Sequence, residues 1–316
     1  FTAEPFEEAL SFWLSRLDRP HDIRFAPYNQ VLQAILDPRG LLRSNAAGVN
    51  AVLLRATDWA SAGSAAIEQL GEAIAGVNSS ADWIVAICPS AGGSQFDPNS
   101  VQLLKQRLPF VHFVEAQDIL VLYPVPDVYD RTAGALGQVP YTAGFFIALA
   151  TWIARRIQAL QMAPYNVLAL DCDNTLWQGI CGEDGPAGVT IGPGQLDLHE
   201  FALARRKAGM LLCLCSKNNE SDVLETFPSH PESPLQPHHF AAWRLNWEAK
   251  SANLPALAAE LNLGLDSFIF VDDDRRECAE VVSDCPAVLT LPLPDASEEI
   301  APFLNHVRAF DHPRVK

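Results

Sequence analysis

The chain has 316 residues, which is enough for one large domain or two ordinary ones. Its hydrophobic content of 49% and charged content of 19% are typical of soluble globular proteins. A formal net charge of −16 disfavours non-specific binding to nucleic acids or anionic membranes, so we expect neither as a partner. No apolar run approaches the ~20 residues that span a bilayer, and the first residues have no secretory signal pattern.

The seven cysteines show no metal-binding CxxC spacing. Reduced thiols in a cytoplasmic protein are therefore the expectation. Because the first residue is Phe1 and not an initiator methionine, we expect a fragment of a longer polypeptide.

The first part of the chain alternates between predicted helices and strands. The elements are two amphipathic helices within 1–37, a strand at 48–59, a helix at 67–77, a strand opening 82–93 and a strand at 111–120. This alternation predicts an α/β unit with a parallel sheet. We assign residues 1–140 to an N-terminal α/β region whose first helix is a connector.

A second α/β alternation follows an irregular segment rich in proline and glycine. Its elements are helices at 142–160, 195–209, 221–227, 250–262 and 276–282, strands at 166–171, 210–216, 267–273 and 287–293, and an extended piece at 240–247. We assign residues 141–316 to this second domain, which is predicted to be the catalytic one.

Four polar clusters lie at predicted strand or helix boundaries of the second domain. They are Asp171 with Asp173; Ser216, Lys217 and Asn218; Lys250; and Asp272, Asp273 and Asp274. Ligands bind beyond the carboxyl ends of strands in open parallel sheets, so we expect all four clusters at one edge. Each alone has an ordinary explanation as a strand end, turn or solvated loop, but the four together favour an active site.

The chemistry predicted for these clusters combines a divalent cation with a carboxylate nucleophile. The candidate Mg²⁺ ligands are Asp171, Asp173, Asp272 and Asp273, since clustered carboxylates repel each other unless a cation lies among them. A carboxylate can also attack phosphorus, and a second one two residues away can transfer the proton. The hydroxyl of Ser216, the ammonium of Lys250 and the neighbouring Lys217 and Asn218 are candidates to bind phosphate or substrate oxygens.

The sequence resembles the haloacid dehalogenase (HAD) superfamily. "LALDCDNTL" resembles its first motif, Ser216 its second, Lys250 its third and "FVDDD" its fourth. Within the superfamily, "DCDNTLWQGICGEDG" and "HHFAAWRLNWEAKSANL" resemble the FkbH-like group, and the resemblance covers nearly the whole chain. It implies an α/β fold: a Rossmannoid parallel sheet with a short β-hairpin flap, preceded by a smaller N-terminal α/β region.

The resemblance also implies an activity in polyketide synthesis. FkbH-like domains convert 1,3-bisphosphoglycerate, with loss of phosphate, into a D-glyceryl thioester on a phosphopantetheinylated acyl carrier protein. Neighbouring polyketide synthase domains would then be partners. By analogy Asp171 takes the position of the nucleophile, Asp173 that of the acid/base, and Asp272 and Asp273 those of Mg²⁺ ligands. One departure is Asp274-Arg275 in place of Asn-Pro, which we expect to alter metal affinity.

The predicted flap contains Cys181, a second candidate for covalent chemistry. Its thiol either carries the glyceryl group as a nucleophile or is a small apolar residue, in which case the thiol of the carrier attacks directly. We expect Trp177 to pack in the flap and to form one wall of the pocket, and Cys172 to be buried facing away from the aspartates.

Two other functions stay open at this point. One is a simple phosphatase acting on a small phosphoester, for which the carrier is irrelevant. The other is a non-catalytic docking domain that keeps the fold without the chemistry.

Overall fold

The computed structural model describes residues 1–59 and 63–312. The chain divides into two compact units, Phe1–Gln161 and Met162–Lys316. Within the described ranges, no helix has both the length and the apolar character needed to cross a lipid bilayer.

The first unit contains a parallel sheet of three strands in the order β1-β2-β3. The strands are β1 (Val49–Arg55), β2 (Asp82–Cys88) and β3 (Val111–Glu115). Both faces of the central strand are buried, with Trp83 and Val85 in one core and Ile84 and Ala86 in another. The helices of this unit are α1 (Glu7–Arg16), α2 (Val31–Leu36), α3 (Leu41–Ser44), α4 (Ala56–Trp59), α5 (Gly63–Ala75), α6 (Pro98–Arg107), α7 (Ala116–Leu122), α8 (Arg131–Gly137) and α9 (Ala143–Gln161).

The strand predicted over 111–120 is a strand only as far as Glu115, and α7 begins at the next residue. The side chain of Asp118 accepts a hydrogen bond from the backbone N–H of Glu115 at 3.3 Å, forming half of a capping box. Such a box satisfies backbone donors that a helix start leaves free, so it favours a helix over a continued strand.

The long helix α9 belongs to the first unit. The indole N–H of Trp13 on α1 donates to Thr151 Oγ1 on α9 at 2.8 Å, and buried apolar side chains of both helices share one core. The predicted boundary stands before this helix, at residue 141, but the structure places the division after Gln161. The reason is that the apolar face of α9 is buried against α1.

The second unit contains a parallel sheet of five strands in the order β6-β5-β4-β7-β8. The strands are β4 (Val167–Leu170), β5 (Leu211–Ser216), β6 (Phe240–Leu245), β7 (Phe268–Asp272) and β8 (Leu289–Pro292). Leu168 and Leu170 of β4 face one buried core while Val167 and Ala169 face a second, so both sheet faces are covered. The helices are α10 (Cys181–Asp184), α11 (Pro193–Lys207), α12 (Glu220–Ser229), α13 (Lys250–Leu261), α14 (Arg275–Asp284) and α15 (Ile300–His306).

The predicted flap is closed by one antiparallel pair, Gln178 and Thr190. Each backbone N–H donates to the carbonyl of the other, at 2.7 and 3.0 Å, and the enclosed loop contains the single helical turn of α10. Gly179 has a φ of 103°, and a Cβ there would lie 2.7 Å from Asp184 Oδ2. Only glycine fits this turn without strain. The flap is thus a bridged loop around a helical turn and not an extended hairpin.

Candidate active site

The four polar clusters follow four neighbouring strands of the five-stranded sheet. Asp171 comes directly after β4, Ser216 ends β5, Asp272 ends β7, and Lys250 begins α13 a few residues after β6. Because all strands are parallel, their carboxyl ends share one edge. Asp171 is held there by its backbone N–H, which donates to Val271 O at 3.0 Å.

The buried ammonium of Lys250 connects carboxylates from three elements. Its Nζ donates to Asp171 Oδ1 and to Asp272 Oδ2, both at 2.7 Å, and it contacts Glu277 on α14. Burial by itself disfavours the charged ammonium, but Asp171 and Asp272 outweigh it and raise the pKa of Lys250. The amine is therefore a fixed positive charge at the edge of the sheet.

Three carboxylates lie close enough together to hold a metal ion. Asp171, Asp272 and Asp273 each offer an oxygen, and these oxygens lie within 4.8 Å of one another. Burial, followed by the charge of Asp171, raises the pKa of Asp273 to about 6. Burial also raises the pKa of Asp171. The buried carboxylates repel one another when they are ionised. A hard divalent cation such as Mg²⁺, which prefers oxygen ligands, removes this repulsion when it binds between them.

Thr175, which no sequence pattern marked as functional, fixes the orientation of Asp273. Its hydroxyl donates to Asp273 Oδ1 at 3.3 Å and accepts the backbone N–H of Asp273 at 3.2 Å. The side chain is fully buried. The signal available in the sequence was its place in the first motif, four residues after Asp171.

The carboxylate of Asp173 is turned toward the flap. Its Oδ1 accepts hydrogen bonds from Trp177 Nε1 at 2.8 Å and from the backbone N–H of Cys181 at 3.0 Å, and its Oδ2 accepts from Asn218 Nδ2 at 3.0 Å. Of the four predicted metal ligands, the structure brings the other three together and leaves the Asp173 side chain outside that group. Three N–H donors instead orient it as the carboxylate that links the flap to the segment after β5.

Cys181, the first residue of α10 within the flap, is buried and only 1% exposed. Its Sγ donates to Asn218 Oδ1 at 3.6 Å, and Asn218 Nδ2 also donates to Ser216 Oγ at 3.0 Å. Burial, reinforced by Asp173, raises the pKa of Cys181 to about 12. The thiol is therefore close to the aspartates, as expected for a flap residue, but this environment favours its protonated form.

Trp177 and Cys172 are both buried. The ring of Trp177 packs edge-on against Phe227 of α12 with centroids 5.7 Å apart, while its N–H is bound to Asp173. Cys172 is fully buried, as we expected.

Lys217 and Glu277 form an ion pair beside the site, with Lys217 Nζ 2.9 Å from Glu277 Oε1. Lys217, predicted to bind substrate, thus has its ammonium on Glu277, which raises the pKa of Lys217. Glu277 is not among the functional residues predicted from the sequence. A signal existed in its position on the first turn of α14, just after the aspartate run, but the same pattern is common on solvated helices.

Asp274, which we expected to alter metal affinity, has its side chain at the start of α14. Its Oδ1 accepts the backbone N–H of Arg276 at 2.7 Å, so it is the N-cap of α14. Arg275 points to Asp295, at 3.7 Å. The extra carboxylate is exposed and is not among the three clustered acids.

No protein-family model and no curated protein sequence matches this chain. Among solved structures, the chain is similar to the crystal structure of the N-terminal part of the protein BF1531 from Bacteroides fragilis, which contains a phosphatase domain and is complexed with Mg. The TM-score is 0.71 at 20% sequence identity, and the match covers 98% of this chain and 90% of that chain. The likeness, together with the parallel sheets and helices of both units, confirms the predicted α/β fold class.

Proposed function

We propose that this chain catalyses Mg²⁺-dependent phosphoryl transfer with Asp171 as the nucleophile. The observation that carries the proposal is the arrangement of Asp171 beside Asp272, Asp273 and the ammonium of Lys250 at the carboxyl edge of the sheet. The similarity to a phosphatase-containing protein that binds Mg supports it.

Asp171, Asp272 and Asp273 are the residues that would hold the cation. When bound, Mg²⁺ lowers the repulsion between the nucleophile and an anionic phosphate and stabilises the charge that develops in transfer. Lys250 supplies a second, permanent positive charge at Asp171, and its three carboxylate contacts prevent it from swinging away.

The reaction has two steps on the protein's own residues. A carboxylate oxygen of Asp171 attacks phosphorus, the bond from phosphorus to the leaving oxygen breaks, and an aspartyl phosphate forms. Asp173 gives a proton to the leaving oxygen, then takes one from the water that attacks the aspartyl phosphate. Inorganic phosphate leaves and Asp171 is regenerated. The bonds from Trp177 Nε1 and the Cys181 N–H hold Asp173 for this purpose.

The finer proposal is that the substrate is 1,3-bisphosphoglycerate and the product a D-glyceryl thioester on an acyl carrier protein. A thiol attacks the C1 carbonyl and its sulfur–carbon bond forms as the carbon–oxygen bond to phosphate breaks. The phosphate leaves with the bonding electron pair, and inorganic phosphate takes up the proton of the thiol. The phosphoester at C3 is then removed by Asp171. Because Cys181 is buried and its pKa is raised, direct attack by the thiol of the carrier fits the site better than a glyceryl group on Cys181.

The test incubates the chain with 1,3-bisphosphoglycerate, Mg²⁺ and phosphopantetheinylated carrier, and follows carrier mass and phosphate release. We expect a glyceryl adduct on the carrier and loss of phosphate release in Asp171→Asn and in EDTA. Phosphate release without a carrier adduct would show that the chain is a simple phosphatase and would overturn the transfer to the carrier. Full product formation by Asp171→Asn would overturn the catalytic role of the site.

A further inference from the structure

Trp247 is an exposed aromatic side chain three residues before Lys250 of the candidate site. It lies in the segment that runs from β6 to Lys250, and it is 71% exposed. Its indole N–H, the only polar group of the ring, donates to Asn219 Oδ1 at 3.0 Å. Asn219 directly follows Asn218, which binds Asp173 and Ser216. The ring is therefore fixed next to the site with its faces open to solvent.

The backbone that carries Trp247 is held as firmly as the ring. The N–H of Asn246 donates to Ser216 O at 3.3 Å. The side-chain amides of Asn246 and Asn253 bind each other through both groups, at 3.1 and 2.9 Å, and Asn253 is 1% exposed. Hydrogen bonds of the indole and of the neighbouring backbone therefore hold the ring in position. Packing of the ring itself contributes little, because most of its surface is exposed.

The residue that holds the indole N–H is itself bonded to an acidic side chain. Asp222 accepts a hydrogen bond from Asn219 Nδ2 at 3.0 Å, and the exposed Glu248 follows Trp247. A further anionic group on the substrate would be repelled here, whereas an uncharged organic chain can pack on the ring.

We propose that Trp247 is a specificity-determining residue that contacts an uncharged, thioester-linked chain on the phosphorylated substrate. This inference rests on the proposed function and deepens it. The substrate of the Asp171 step is then a 3-phosphoglyceryl thioester, and not free bisphosphoglycerate, whose second phosphate would face Asp222 and Glu248. The thiol displaces the C1 phosphate first. Water then cleaves the C3 phosphoester through Asp171, releasing phosphate and leaving the thioester intact.

The test compares phosphate release from the 3-phosphoglyceryl thioester of N-acetylcysteamine with release from 3-phosphoglycerate. We expect the unmodified chain to prefer the thioester in kcat/KM by about tenfold, the scale of one aromatic contact. Trp247→Ala should reduce this preference severalfold by raising KM for the thioester, because the contact with the ring is lost while the repulsion of the 3-phosphoglycerate carboxylate by Asp222 and Glu248 remains. Trp247→Phe should keep most of the preference. Val282→Ala, at a 55% exposed apolar residue of α14, is the matched control.

Equal use of both substrates by the unmodified chain, or an undiminished preference in Trp247→Ala, would overturn the inference. Absence of phosphate release from both substrates would overturn the proposed function instead. In that case, calorimetric binding of the thioester to Asp171→Asn, with and without Trp247→Ala, still tests the contact. Affinity that does not depend on Trp247 would count against it.

Discussion

Glu277 and Lys250 are in direct contact, although Glu277 lies in the first turn of α14, after β7, and Lys250 begins α13, after β6. Glu277 also holds Lys217, so one carboxylate fixes two ammonium groups at the edge of the sheet. The charge of Lys250 lowers the pKa of Glu277 even though burial opposes this. Glu277 thus helps to position the cation that faces Asp171.

We predict that Glu277→Gln lowers kcat for phosphate release by about tenfold and the free energy of unfolding by ~1 kcal/mol. The amide keeps the shape but leaves Lys250 with two charged partners and frees Lys217. Steady-state kinetics and urea unfolding measure the two effects. Glu280→Gln is the control, since Glu280 lies on the same helix and accepts a bond from Ser251 Oγ. Equal kcat values for the two variants would show that Glu277 has no positioning role.

The hydrogen bond from Trp177 to Asp173 is the second test. Trp177→Phe removes the N–H but keeps an aromatic ring against Phe227, so we expect kcat to fall about tenfold. The smaller ring leaves a gap in the core and should also lower the free energy of unfolding by about 1–2 kcal/mol. Trp243→Phe, on β6 and packed on the same core, is the matched control. A kcat and a pH–rate profile of Trp177→Phe that match those of Trp243→Phe and of the unmodified chain would show that the indole is not needed to orient Asp173.

The Cys181 thiol should be unreactive in the folded protein. Because burial and Asp173 raise its pKa to about 12, little thiolate exists at neutral pH. We expect iodoacetamide to modify Cys181 much more slowly in the native than in the unfolded chain, as measured by mass spectrometry of peptides. Cys181→Ser should release phosphate at a rate within about twofold of normal. A glyceryl adduct trapped on Cys181 after reaction with 1,3-bisphosphoglycerate would show the opposite and restore the covalent route.

His199 makes stability depend on pH. It is buried on α11, its Nε2 bonds Leu176 O at 2.8 Å, and burial lowers its pKa from 6.5 to about 4. In the unfolded chain the imidazole of His199 is therefore protonated below about pH 6.5, whereas in the folded chain it stays neutral until about pH 4. Stability from this group is complete above 6.5 and falls by up to about 3 kcal/mol as pH drops toward 4.

The measurement is the free energy of urea unfolding between pH 4 and 7.5 for the unmodified chain and for His199→Gln. The difference between the two isolates His199 from the carboxylates that titrate in the same range. We expect this difference to shrink as the pH falls. A difference that is constant with pH would show that His199 titrates normally in the folded state.

Most strands and long helices could be predicted because their cause is local. An apolar run such as β4 or β7, buried on both faces, reads as a strand in any context, and aspartates at its end mark the functional edge. The ends of helices and strands were harder to predict where one local signal favoured a strand and another favoured a helix. The capping box at Glu115 changed a predicted strand into α7, and the packing of α9 moved the division between the units.

Residue types and their order along the chain were enough to place Asp171, Lys250 and Asp272 at one edge, since a parallel sheet brings successive strand ends together. Long-range contacts decided the remainder. Only the folded chain shows Glu277 on Lys250, the carboxylate of Asp173 turned to the flap, and Trp247 fixed by Asn219. The direction of a side chain depends on partners far away in sequence, and no local pattern records which neighbours folding will supply.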